Sequence, residues 1–180
     1  DFITVDGAEG GTGASPLEFT DSVGMPIEPA LMFVRRTLER FGLHGEIKII
    51  ASGKVLTSAS LMKMLGLGAD LCNSARGFLF SLGCIQALRC NTNDCPTGIT
   101  TQDRGLVRGL NVADKSERVY HFHINTLLSL MELLAACGLE RVEDINMSYF
   151  MRGDEFVKLA DRYFPDGLDQ VMHPSPGGSR

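Results

Sequence analysis

The 180-residue chain is 44% hydrophobic and 22% charged, a balance that buries a core of ordinary size and excludes disordered and collagen-like classes. Seventeen Lys and Arg against twenty-two Asp and Glu give a formal net charge of −5, with no long run of like charge, which argues against general nucleic-acid binding. The longest apolar stretch, around Leu127 to Leu134, is broken by Ser129 and Glu132 and falls short of the roughly 18 to 20 residues of a membrane span.

Asp1 opens directly into a strand-like run, with neither an initiator Met nor a basic, apolar leader, so the chain reads as a piece of something longer. Five cysteines, an odd number, in a chain too large and apolar to need disulfide staples point to a reducing compartment, and the cytoplasm is expected.

In chain order, Phe2–Val5 reads as a short buried strand that stops at Asp6-Gly7, and a glycine-rich loop runs from Gly7 to Pro16. Pro29 to Phe41 has helical periodicity, with Leu31, Val34, Leu38 and Phe41 on one stripe and Gly42 as its stop. Ile47–Ala51 is a second strand, ended by Ser52-Gly53-Lys54. Thr57 or Ser58 can cap a helix running to Gly66. A third strand covers Leu71 to Ser74 and is closed by Ala75-Arg76-Gly77. Arg104 to Asp114 reads as an exposed loop, Ser116 to Cys137 as a long amphipathic helix, and Val142–Asp144 and Asp154–Tyr163 as short helices. The Pro/Gly-rich tail from His173 to Arg180 is expected to be loose. Strands alternating with helices imply parallel βαβ units. Three such units leave open strand edges, from which self-association or a swapped arrangement of two chains is expected.

Cys84, Cys90 and Cys95 form the pattern C-x5-C-x4-C, followed by Pro96 and Gly98. Three thiolates on so short a loop can converge on one soft centre, and iron with sulfide suits a thiolate-only site. Structural zinc usually shows C-x2-C pairs and four ligands. On spacing alone a cluster, a zinc completed by a distant ligand and three ordinary buried thiols all stay open. Loops after parallel strands expose backbone N–H groups that can cradle a phosphate, and Gly53 with Lys54, then Arg76 with Gly77, end successive strands as in the phosphate sites of α/β barrels. Tight turns with solvated basic residues fit the same residues. His121 and His123, two apart on a helix, point to different sides and read as structural. Arg89, Asn91 and Asn93 flank the cysteines and either donate to cluster sulfurs or shape the turn.

The runs GGTGASP at Gly10–Pro16, IKIIASGK at Ile47–Lys54 and GCIQALRCNTNDCPTGITTQD at Gly83–Asp103 resemble the synthase domain of glutamate synthase. The likeness is closer still to the shorter FMN-binding glutamate-synthase-like proteins, and it covers about Asp1 to Gly153. It implies an α/β fold, the carboxy-terminal part of a (β/α)8 TIM barrel, with barrel units and the cysteine loop over 1–103, a helical extension over 104–172 and a flexible tail over 173–180. It implies FMN and a 3Fe-4S cluster as cofactors, with Cys84, Cys90 and Cys95 as cluster ligands. Ser52, Gly53 and Lys54, with Ala75, Arg76 and Gly77, would be the flavin-phosphate loops. Gly10, Gly11, Thr12 and Gly13 would face the flavin and substrate cavity. Glu9 stands where synthases of the family usually have Asp.

The resemblance further implies a redox enzyme in which electrons enter at the cluster, pass to FMN and reduce 2-iminoglutarate, made from 2-oxoglutarate and ammonia, to glutamate, with ferredoxin as the natural donor. No catalytic residue is assigned, because the glutaminase, the first barrel strands and the upstream lysine near the 2-oxoglutarate carboxylates all lie outside these residues. Two alternatives remain: the same cofactors acting on another substrate, and a fragment with little cofactor bound.

Overall fold

The computed structural model describes residues 1–10, 15–146, 149–150 and 154–163. The expected loose tail at His173–Arg180, and the end of the expected extension, lie outside the described residues.

Three parallel strands form one sheet in the order β1 (Phe2–Asp6), β2 (Lys48–Ser52), β3 (Leu71–Asn73). The register pairs Ile3 with Ile49 and Val5 with Ala51 across the first two strands, and Ala51 with Cys72 across the next. Because side chains alternate along a strand, these residues share one face, and that face is covered. Ile49 and Ala51 are fully buried among Val5, Ile27, Leu31, Met32 and Leu38, with Cys72 packed against them. The opposite face carries Phe2 and Leu71, which are 67% and 58% exposed. Among the described residues, the sheet is therefore clothed on one side only.

Helix α1 (Leu17–Ser22) follows the glycine-rich loop, and α2 (Ile27–Arg40) supplies most of the cover. Its buried residues are Ile27, Leu31, Met32 and Leu38. Phe41, expected on the buried stripe, is 74% exposed, because the helix ends at Arg40 and the next residue turns away from the helical path. Helix α3 (Ser58–Gly66) starts at a capping box: Thr57 Oγ1 accepts from Ser60 N at 3.2 Å, and Ser60 Oγ accepts from Thr57 N at 2.9 Å. Reciprocal bonds of this kind satisfy helix N–H groups that have no partner of their own.

Past β3 comes α4 (Ala75–Leu82), then the irregular cysteine segment, α5 (Arg104–Val107) and the 25-residue α6 (Val112–Ala136). Residues 104–107 are thus helical where a loop is expected, and α6 begins a turn earlier than Ser116, set by Asn111 Oδ1 accepting from Asp114 N at 3.2 Å. Helix α6 packs along α3 and α4. A second core of Met62, Leu130, Leu134 and Ile145 seals the first of these contacts, and an edge-on Phe78–Phe122 pair, ring centroids 5.1 Å apart, seals the other. His123, although exposed, also meets Phe78 edge-on at 5.8 Å. A 3-10 turn (Val142–Asp144) and α7 (Asp154–Tyr163) complete the described chain.

Candidate functional site

Register places Asp6, Ser52 and Asn73 in one row at the carboxyl ends of the three strands, so the segments that leave them rise from one end of the sheet. They are physically joined. Gly7 N donates to Ser52 O at 2.7 Å, and a β-carbon on Gly10 would lie 3.5 Å from Gly53 Cα. At Gly53 itself a β-carbon would come within 2.9 Å of Ile27 Cβ, which is why a residue without a side chain stands there. Lys54 follows with φ +49°, a left-handed conformation uncommon for a non-glycine residue and often met at functional turns. Its side chain is exposed.

Ala75, Arg76 and Gly77 are not a loop. They are the first turn of α4, and this corrects the strand-end reading. Ser74 occupies the N-cap position but does not cap; its hydroxyl donates instead to Val55 O at 2.6 Å, tying the exit of β3 to that of β2. The first N–H groups of a helix have no intrahelical acceptor and carry the positive end of its dipole. Arg76 on this first turn is half-buried, and Lys54 at the β2 exit is exposed. Gly77 is explained differently: a β-carbon there would lie 2.6 Å from Phe122 Cζ, so its smallness serves the α4–α6 seam. Gly10 stands beside this region, while Gly11, Thr12 and Gly13 lie outside the described residues.

The cysteine segment is held by its own turns. Asn93, at φ +63°, accepts from Thr101 Oγ1 at 2.5 Å through its carbonyl and from Gln102 N at 2.8 Å through its side chain. Arg89 pairs with Asp94 at 3.3 Å. Both residues thus shape the turn. Gly98, at φ +76°, lies so close to Leu106 O that a β-carbon would stand 2.3 Å from it, which locks the segment onto α5. Cys95 is 8% exposed. Burial pushes its thiol up, but hydrogen bonds from the Thr97 hydroxyl at 3.3 Å and from the Thr97 and Thr100 segment outweigh burial and bring its pKa from 9.0 down to about 6. Thr100 Oγ1 is buried without a hydrogen-bond partner of regular geometry, and the Cys95 sulfur is the acceptor near it. Hydrogen bonds to the charged form of a group favour that form, so this environment favours the Cys95 thiolate, the state a metal ligand requires.

Cys84 and Cys90 are half-buried on the same segment. Among the described residues, no three His, Cys, Asp or Glu side chains are drawn together as a metal site. The donor chemistry at Cys95 thus fits a thiolate-ligated centre, although the three sulfurs are not gathered into one group. Cys72 is the opposite case, since burial alone pushes its thiol up to about 12.

A cavity of about 550 Å3, lined by Arg35, His44, Lys48, Asp70 and Glu143 among others, opens at the amino ends of the strands, opposite the register row. Its cations are already matched: Arg35 to Glu39 at 3.0 Å and Lys48 to Asp70 at 2.8 Å. Burial, then the Arg35 charge, holds the His44 pKa below its ordinary value.

Residues 1–140 match the conserved region in glutamate synthase. The chain belongs to the glutamate synthase family. Members of this family are oxidoreductases. The chain is 50% identical over 139 residues to the glutamate synthase large subunit-like protein YerD of Bacillus subtilis, covering 77% of this chain and 26% of that one. It is 39% identical over 145 residues to an archaeal glutamate synthase (NADPH) of Methanocaldococcus jannaschii, covering 81% and 28%. It is 30% identical to a ferredoxin-dependent glutamate synthase of Pyropia yezoensis, covering 81% and 9%. The chain thus spans about a quarter of the length of the first two glutamate synthase relatives.

Sequence reading missed three participants, Ser74 and the two threonines around Cys95, and it singled out Glu9 without the bond that Glu9 makes to the start of α2. Thr97 and Thr100 stand two and five residues after a cysteine, a spacing that carries no signal until the turn at Gly98 folds both back onto one sulfur. Pro26, directly before α2, was the available hint that a remote residue must satisfy that helix end.

Proposed function

We propose that this chain is the cofactor-holding, carboxy-terminal part of a (β/α)8 barrel in a glutamate-synthase-type oxidoreductase, followed by a helical extension. When bound, FMN and a 3Fe-4S cluster supply the electron transfer and hydride donation that reduce 2-iminoglutarate, from 2-oxoglutarate and ammonia, to glutamate. The protein's part is binding and orientation. The backbone at Ser52-Gly53-Lys54 and the amino end of α4 at Ala75, Arg76 and Gly77 bind the flavin phosphate, with Lys54 and Arg76 supplying positive charge. Gly10, Gly11, Thr12 and Gly13 would be the loop that faces the flavin and substrate, and its three glycines would allow close backbone approach. Cys84, Cys90 and Cys95 ligate the cluster; ligation by all three requires their segment to draw the sulfurs together. A ferredoxin is the electron donor, in a cytoplasmic setting.

The observation that carries this reading is the C-x5-C-x4-C segment of a glutamate synthase family chain, with the Thr97 hydroxyl 3.3 Å from the Cys95 sulfur. The test is anaerobic purification of the full-length protein, with iron, sulfide and flavin analysis and turnover on 2-oxoglutarate with ammonia or glutamine under a reductant. Three irons and one FMN per chain with glutamate formation are expected. Cofactors without turnover would assign the same machinery to another substrate, and a colourless full-length protein would overturn the cofactor assignment.

A further inference from the structure

We infer that Glu9 is the positioning residue of the glycine-rich loop, fixing residues 7–10 over the exit of β2 by binding the first turn of α2. The reason begins with Pro26. It sits at the N-cap of α2 with no side-chain donor or acceptor to offer, so the helix has no local cap. Glu9, eighteen residues upstream, takes that place: Ile27 N donates to its two carboxylate oxygens at 2.9 and 3.2 Å. A carboxylate at the positive end of a helix is stabilised by the dipole as well as by the hydrogen bonds.

The surrounding contacts convert this cap into a clamp. Ala8 N donates to Met25 O at 2.9 Å, so consecutive loop residues grip consecutive segments before and within α2. A β-carbon on Gly7 would lie 2.5 Å from Ile27 Cβ and 2.6 Å from Glu9 Oε2; glycine is required for the carboxylate to reach the helix. Ile27, 4% exposed, also lies under Gly53. One buried side chain thus supports both the first glycine of the loop and the phosphate-loop glycine, and Glu9 holds the backbone of that residue. An aspartate at this position, one methylene shorter, would end short of the Ile27 N–H. The inference rests on the proposed flavin site for what the loop faces, but not for how the loop is held.

The test uses the full-length protein with Glu9→Ala, Glu9→Asp and Glu9→Gln, and Asn111→Ala, which removes the α6 cap, as a control destabilised at a remote helix. Amide exchange at Ala8 and Ile27 reports the clamp, and FMN affinity reports its purpose. Glu9→Ala and Glu9→Asp should speed exchange at both amides and weaken FMN by about tenfold, as for loss of one charge-assisted hydrogen bond. Glu9→Gln keeps an acceptor oxygen and should stay within about twofold for FMN. Asn111→Ala should lower Tm with FMN affinity unchanged. Unchanged exchange at Ala8 in Glu9→Ala would overturn the clamp. Faster exchange with unchanged FMN affinity, or equal FMN loss in Asn111→Ala, would overturn the positioning role. A wild-type protein that takes up no FMN would overturn the proposed function instead, and the exchange data would still decide how the loop is held.

Discussion

The edge of the Phe122 ring stands 2.6 Å from the point where a β-carbon on Gly77 would lie, and Ser74 Oγ stands 2.8 Å from the same point. The first turn of α4 is therefore pressed against α6 as closely as backbone allows. A helix interior normally gains about 1 kcal/mol when Gly becomes Ala, yet overpacking a fitted contact costs roughly 1 to 3 kcal/mol. The clash should win here. Gly77→Ala is expected to lower stability by about 1 to 2 kcal/mol in denaturant unfolding, and Phe122→Leu in the same chain should recover part of the loss. A stabilised Gly77→Ala would show that the seam has slack, and that the glycine is kept for something bound at the helix start.

That seam also explains what could be read from the sequence and what could not. β1, β2, α3 and the middle of α6 announce themselves by apolar period and caps, because their burial is decided by residues close in sequence. Ala75-Arg76-Gly77 reads as a turn because glycine after a strand usually marks one; its helical state is set by Phe78 and Phe122 meeting across some forty positions, which no local pattern encodes. The early start of α6 was legible in Asn111 and Asp114 but competed with the polar look of residues 104–114. At the site, the three cysteines were visible as spacing. Their electrostatics were not, since the donors to Cys95 depend on the left-handed turn at Gly98.

Asp70 anchors the start of β3 to that of β2. One carboxylate oxygen accepts from Lys48 Nζ at 2.8 Å and the other from Ile49 N at 2.8 Å. Burial works to raise its pKa, but these two bonds and the Lys48 charge hold it below the ordinary 3.8. A depressed carboxylate contributes stability that is fully present above the unfolded-state pKa and is lost as pH falls through the folded value. Asp70→Asn should therefore lose stability at neutral pH and show a flatter decline below about pH 4 than the parent. Parallel acid-unfolding curves for the two proteins would refute the assignment.

The uncovered sheet face bears on assembly. Phe2 and Leu71, 67% and 58% exposed, lie on it, and Tyr120, Leu128 and Met131 are 60%, 52% and 63% exposed along the outer side of α6. Open strand edges and contiguous apolar surface drive association in water. The isolated 180 residues should elute from gel filtration larger than one chain, shifting toward monomer on Phe2→Ser with Leu71→Ser. A sharp monomer peak of the unsubstituted chain would contradict this.

Cys72 and Cys95 should separate cleanly by chemistry. With pKa values of about 12 and about 6, Cys72 stays a thiol at neutral pH while Cys95 is mostly thiolate, and the thiolate is the form that attacks an alkylating reagent. In cofactor-free reduced protein, mass spectrometry after iodoacetamide treatment should find Cys95 modified at pH 7 and Cys72 unmodified at the same time, even though Cys95 is 8% exposed. Thr97→Val removes the hydroxyl that stands 3.3 Å from the sulfur, so the pH at which Cys95 labelling rises should move upward while Cys72 does not change. Thr97→Ser keeps that donor and should restore the original profile. If Thr97→Val left the Cys95 profile in place, its acidity would have to come from the Thr100 hydroxyl and the backbone N–H groups of Thr97 and Thr100, and the Thr97 side chain would carry no part in preparing the sulfur for a metal.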